Sequence, residues 1–182
     1  LEPSMTTTSY RNIALLAACQ ALLLTNAAAL ASMFAVIGYA LVEVKTVATL
    51  PATTYVLGSA LAAMPAALWM GRVGRRRGFI TGSVIGCAGC LVGAGAVYAK
   101  SFPLFCFATA MVGVYNAFGL QYRFAAAEVA TPSDRAKAIS LVLAGGVIGG
   151  FIGPETTRLA KDLFATPFLG SFLVLASLAL LA

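Results

Sequence analysis

The 182-residue sequence has no histidine, a single tryptophan, and charged residues at only 10% of its positions. The missing histidine removes imidazole bases, proton relays and histidine metal sites. The shortage of charge removes a water-facing surface, because a soluble domain carries about 25% charged residues. Acids are scarcer than bases, six against twelve, and none lies in the middle of an apolar run. Carboxylate-pair and Ser-His or Cys-His catalysis are thereby excluded. An intramembrane enzyme would be left with an isolated Ser or Cys nucleophile.

What is present is apolar. Hydrophobic residues make up 60% of the chain, and the mean hydropathy is +0.93. The sequence therefore reads as an all-α polytopic membrane protein. Its few charges punctuate the chain, and the gaps between them predict spans at 13–39, 50–70, 79–99, 103–123, 138–157 and 167–182. Each is near the ~20 residues that cross a bilayer as a helix. None alternates as a membrane strand would. Pro51, Pro103 and Pro167 stand at predicted helix starts, where a missing N–H costs little. Pro65 and Pro154 lie inside helices and predict kinks.

Orientation follows from Lys and Arg in the short loops. Arg11, Arg72, Arg75, Arg76, Arg77, Arg135 and Lys137 share one side, with Arg123 at its membrane boundary. Lys45, Lys100, Arg158 and Lys161 share the other. The first side is expected to be cytoplasmic, with the N-terminus inside and the chain in the cytoplasmic (inner) membrane. The net charge of +6 is then a matter of topology. Nucleic-acid binding is disfavoured, since the arginines form one short turn without interleaved aromatics. No cleavable signal peptide is evident. Residues 1–12 read as a short added remnant before Met5 and a cytoplasmic N-terminus, and the apolar last run suggests a chain that continues.

Cys19, Cys87, Cys90 and Cys106 all fall within predicted spans. The Cys87-Ala-Gly-Cys90 spacing is that of a redox or zinc pair. It lacks a second pair and an aqueous setting, so buried free thiols are expected. No cofactor or metal is implied. Glycines recur at Gly82, Gly86, Gly89 and Gly93 in the third span, and at Gly145, Gly149 and Gly153 in the fifth. Small residues one turn apart let helices approach closely in lipid. The fifth-span stripe, ending at Pro154, is read as a gating or packing interface.

The predicted helix starts repeat at an offset of about 90 residues, making an inverted 3+3 repeat, residues 13–99 and 100–182, of a kind found in transporters. Polar side chains concentrate in the first and fourth helices, and in lipid such groups face a cavity or a partner. Gln20, Thr25, Asn26, Tyr115, Asn116, Gln121 and Arg123 are the candidates for a substrate path. Interhelical hydrogen bonding is the competing use. No carboxylate is central, so this half is expected to hold no proton site. Glu128 and Glu155 are read as loop residues paired with Arg135 or Arg158. Arg123, the cation nearest the path, hints at an anionic or amphipathic substrate.

The loop Gly71-Arg72-Val73-Gly74-Arg75-Arg76-Arg77-Gly78 resembles the signature loop of the major facilitator superfamily. Gly71 stands where the family usually has an acid, and Ala67 where it has the leading glycine. Glu128-Val-Ala-Thr-Pro132-Ser-Asp-Arg135-Ala-Lys137-Ala resembles the family's loop between helices four and five. Gly145, Gly149 and Gly153-Pro154 are similar to its antiporter glycine-proline pattern. The family's fourth-helix arginine would align near Thr109. The resemblance covers the chain from about Tyr10 to Ala182 and implies the N-terminal six-helix half of a twelve-helix carrier. Such a half would need a second half, or a second copy of itself, to enclose a small-molecule substrate. A six-helix substrate-binding subunit of a vitamin-type uptake complex is the alternative. An aquaporin-type channel is disfavoured, because neither Asn26-Ala27 nor Asn116-Ala117 continues into the required motif.

Overall fold

The computed structural model describes residues 7–182, so residues 1–6 of the expected N-terminal segment 1–12 lie outside the described residues and its second half opens the first helix. Apart from one short 3-10 turn at Lys45–Val47, the regular structure is α-helical: α1 (Thr7–Leu41), α2 (Leu50–Val73), α3 (Arg75–Tyr98), α4 (Phe102–Gly119), α5 (Tyr122–Val129), α6 (Arg135–Ala160) and α7 (Leu169–Leu181). No strand occurs among the described residues. Five rods are long and apolar enough to cross a membrane: α1, α2, α3, α4 taken together with α5, and α6. The sixth expected span is represented by α7, 13 residues long, short of the ~20 that hydrocarbon requires.

Helical structure is what lipid demands, because an α-helix satisfies its own backbone. Pro51 and Pro103 occupy the first turns of α2 and α4 as expected. Pro167 instead precedes α7, whose N-cap Phe168 is left-handed at φ 67°. Both α2 and α6 continue through their internal prolines, Pro65 and Pro154. The fourth span differs from expectation. It breaks at Leu120–Gln121, where the Gln121 N–H reaches back to the Phe118 carbonyl at 3.1 Å, and resumes as α5. Gly119 sits at this break, and a side-chain carbon there would collide with Leu23 of α1.

Packing is pairwise. α1 lies along α6, α2 along α4, and α3 is held between α4 and α7. The main core joins α1, α3, α4, α5, α6 and α7 through Leu30, Met33, Cys90, Phe105, Tyr115, Tyr122, Val142, Phe172 and Leu175. Phe105 and Phe172 meet edge to face at 6.1 Å, a favourable aromatic geometry. The outer faces of α2 and α6 stay uncovered, with Leu61 at 76% and Phe151 at 78% exposure. At one end of the bundle the start of α1, the α2–α3 turn and α5 come together, bringing Arg11, Arg75, Arg76 and Glu128 around one groove. We call this the basic end.

Candidate functional site

The α2–α4 seam is built on close backbone approach. A side-chain carbon at Gly58 would collide with the Ala110 carbonyl, and one at Gly113 with the Tyr55 carbonyl. That proximity lets short polar side chains meet across the seam. The Thr54 and Thr109 hydroxyls lie 2.7 Å apart, and Thr109 donates to the Cys106 carbonyl at 2.9 Å. Asn116 Nδ2 donates to Ser59 Oγ at 3.0 Å. In lipid such bonds join helices without a hydrophobic driving force.

The polar residues of α1 face α6, α3 and α7. Gln20 is buried beside Gly146 of α6. Thr25 returns its hydroxyl to the Ala21 carbonyl at 2.8 Å. Asn26 is fully enclosed: its Nδ2 donates to the Leu175 carbonyl of α7 at 2.9 Å, and the Cys90 thiol of α3 donates to its Oδ1 at 3.9 Å. Thr157 of α6 adds a bond to the Ala29 carbonyl at 3.3 Å, and Ser171 of α7 donates to the Thr157 carbonyl at 3.2 Å. Asn26, Thr157 and Ser171 thus tie α1, α6 and α7 into one body.

The remaining path candidates lie on or just beyond α4. Tyr115 is buried, its ring against Gly86, and its hydroxyl has no hydrogen-bond partner among the described residues. Gln121 and Arg123 are half-buried at the α4–α5 break. The Arg123 guanidinium lies 4.9 Å from the centroid of the Phe124 ring, and its buried Nε is likewise unpartnered among the described residues. The structure therefore does not gather the seven candidates around one cavity. An open cleft does lie between α1 and α2. It encloses about 410 Å³ between Ala31, Ala35, Ala52, Thr49 and the Phe34–Tyr55 pair, whose ring centroids are 5.5 Å apart.

At the basic end, Gly71 and Arg72 close α2 and Gly74 turns the chain into α3 at φ 88°, a conformation that favours glycine. Arg75, Arg76 and Arg77 form the first turn of α3. Arg75 grips Glu128 of α5 with Nε at 3.1 Å and with Nη2. The two-point geometry is the strong form of a guanidinium–carboxylate contact. Glu128 therefore pairs with Arg75, not with Arg135 or Arg158, because α5 turns its carboxylate toward the start of α3. Glu155 pairs with Arg158 at 2.8 Å. In the loop before α6, Asp134 receives Lys137 at 3.0 Å and Thr131 at 3.0 Å. The Lys137 bond, then the Thr131 bond, holds the Asp134 carboxyl below its ordinary range.

The glycine stripe of α6 seats α1. Side-chain carbons at Gly145 and Gly153 would fall 2.5 and 2.6 Å from the Ala17 and Thr25 carbonyl oxygens, and one at Gly149 would collide with the Ala21 carbonyl. Pro154 follows on an exposed face. The four cysteines are free thiols. No group of His, Cys, Asp and Glu able to hold a metal occurs among the described residues.

The family model of the Major Facilitator Superfamily matches residues 15–182. The chain belongs to the major facilitator superfamily. Membership sets it among membrane transporters rather than enzymes. It is 36% identical to the riboflavin transporter RfnT of Brucella anthropi over 177 residues, 97% of this chain and 44% of that relative. It is 32% identical to the uncharacterized MFS-type transporter YddS of Bacillus subtilis over 111 residues, 61% of this chain and 26% of that relative. A second Bacillus subtilis protein, the uncharacterized MFS-type transporter YdeG, is 30% identical over 115 residues, 63% of this chain and 27% of its own length. The chain spans less than half the length of these curated relatives. No solved structure matched it significantly.

For this superfamily member, reading the sequence missed Ser59, Thr157 and Ser171 as bonding groups. Their only signal is small polar chemistry inside apolar helices, which does not name a partner. Glu128 was visible as an acid beside the basic loops, but its bond to Arg75 spans 53 positions.

Proposed function

We propose that the chain forms one six-helix half of a secondary transporter that moves a small solute by alternating access. The substrate class we propose is a flat aromatic heterocycle of the riboflavin kind. The observation that carries this is the 36% identity to a riboflavin transporter across 97% of the chain. The cleft between α1 and α2 supports it. Phe34 and Tyr55 line it with aromatic rings, Ala31, Ala35 and Ala52 are small, and Thr49 adds a hydroxyl. Ligand sites commonly combine apolar walls with a few polar groups in this way.

A second half, or a second copy, would close the path over the exposed faces of α2 and α6. Asn116, Gln121 and Arg123, all part-exposed, are the path candidates we retain at its edge. Pairing of α1 with α6 and of α4 with α2 favours the inverted 3+3 repeat, because the first helix of each repeat then packs on the second helix of the other. The excess of Lys and Arg at the basic end supports a cytoplasmic N-terminus in the inner membrane. The described carboxylates at Glu128 and Glu155 are exposed and paired, which favours coupling groups in the other half or facilitated transport. The family match supports a carrier over a binding subunit of a larger complex.

The test is uptake of labelled riboflavin by vesicles holding the full protein. Saturable uptake, reduced at least tenfold by Tyr55→Ala in a folded protein, is the expected result. Absence of saturable uptake of riboflavin would overturn the substrate class. Uptake unaffected by Tyr55→Ala would overturn the cleft as its site.

A further inference from the structure

A groove of about 900 Å³ opens at the basic end between the starts of α1 and α3 and the flank of α5. Its wall carries three guanidiniums and one carboxylate: Arg11, Arg75, Arg76 and Glu128. Arg75 and Glu128 neutralise each other through their two-point contact. Arg11 and Arg76 are exposed and have no ion pair among the described residues. The groove therefore keeps two uncompensated positive charges. Apart from Asn12 its remaining wall is apolar, formed by Leu15, Leu16, Phe79, Ala125 and Val129. The cleft between α2 and α4 makes the contrast: Leu61, Phe107 and Met111 line it, and no charged residue does.

A guanidinium at the edge of an apolar slot has two poor options alone. Water would satisfy the charge and leave the apolar wall wet. Lipid tails would cover the wall and leave the charge unpaired. A ligand with an anionic head and a hydrocarbon tail satisfies both. Phosphate oxygens also match the planar, forked donors of arginine. We propose that this groove is a binding site for one anionic phospholipid. Its phosphodiester lies between Arg11 and Arg76, and an acyl chain runs along Leu15 and Phe79. Such a lipid would bridge the starts of α1 and α3, which the Arg75–Glu128 pair already links to α5. The site is separate from the proposed α1–α2 cleft and does not depend on what is transported.

The test is native mass spectrometry of the purified full protein, titrated with phosphatidylglycerol or phosphatidylcholine. One phosphatidylglycerol should be retained per chain. Arg11→Gln and Arg76→Gln should each weaken it about fivefold, the usual contribution of one basic side chain near an anionic membrane surface. The double variant should multiply the losses. Arg77→Gln, on the same turn but outside the groove, should change little, and Arg11→Lys should keep most of the binding if its fold is intact. Three results would overturn the proposal. They are phosphatidylcholine held as tightly as phosphatidylglycerol, Arg77→Gln as damaging as Arg11→Gln or Arg76→Gln, and displacement of the lipid by an equal concentration of soluble glycerol phosphate. The last would mark a site for free phosphate.

Discussion

Replacing Gly149 by alanine tests how the helical body is held. The new methyl would sit 2.8 Å from the Ala21 carbonyl carbon and closer still to its oxygen, where ordinary contact begins at 3.4 Å. The obstacle is backbone on a neighbouring helix, so no side chain can rotate away. α1 and α6 must separate, and their interface is the most extensive in the molecule. Overpacking of this kind costs about 1–3 kcal/mol. Against it stands the intrinsic gain of alanine over glycine in a helix, up to ~1 kcal/mol. Gly150, the next residue, faces open space and receives the gain without the clash. Gly149→Ala should therefore lower stability by about 1–2 kcal/mol while Gly150→Ala leaves it unchanged or raises it slightly. Reversible unfolding by increasing mole fraction of denaturing detergent, followed by circular dichroism, measures both. A Gly149→Ala protein as stable as Gly150→Ala would refute the account of the stripe as a backbone seat for α1.

Three further outcomes are expected. Asn26→Ala removes the bond to the Leu175 carbonyl and leaves a small void, and should cost about 1–3 kcal/mol in the same assay, the hydrogen bond itself providing ~1. A double-mutant cycle with Arg75→Gln and Glu128→Gln should give a coupling of about 0.5–1 kcal/mol, since both groups are partly exposed, and the coupling should shrink as salt is added. Asp134, whose carboxyl is held low by the Lys137 and Thr131 bonds, should stabilise the start of α6 at all pH values above the ordinary carboxylate range. That contribution should fade only as pH falls through the depressed native value, seen as faster amide exchange in the first turn of α6, and Asp134→Asn should abolish the pH dependence.

The helices were legible in the sequence because lipid allows so few alternatives. With no charge in the middle of the apolar runs, the gaps from Arg11 to Glu43 and from Arg77 to Lys100 read as helices long enough to cross. The break at Leu120–Gln121 was not legible, since neither residue is a turn former, and the close seat of Gly119 against Leu23 of α1 is a contact between elements far apart in sequence. The polar residues were found but their use was ambiguous. An Asn in an apolar run either lines a path or bonds a neighbouring helix, and composition is the same in both cases. Asn26 took the second course with Leu175, 149 positions away. The stripe at Gly145, Gly149 and Gly153 announced close packing by its spacing, yet nothing local could say that α1 would fill it.

The seams also say which motions the molecule can support. α1 is keyed to α6 at Gly145, Gly149 and Gly153, and α4 to α2 at Gly58 and Gly113, in each case by backbone against backbone. Helices held this way have no flexible side-chain layer between them, and packed interfaces deform poorly. Sliding at either seam would break the Thr54–Thr109 contact or the Thr157–Ala29 bond. The described helices should therefore move together, with conformational change displaced to surfaces that nothing yet covers. The broadest of these are the outer faces of α2 and α6, where Leu61, Met64, Val147 and Phe151 are all more than half exposed. Apolar side chains there suit lipid and a second half equally, so they need no repacking when one replaces the other. If the chain rocks against a second half, as proposed, the glycine seams would make the rigid body and the bulky faces of α2 and α6 the surface it rocks against.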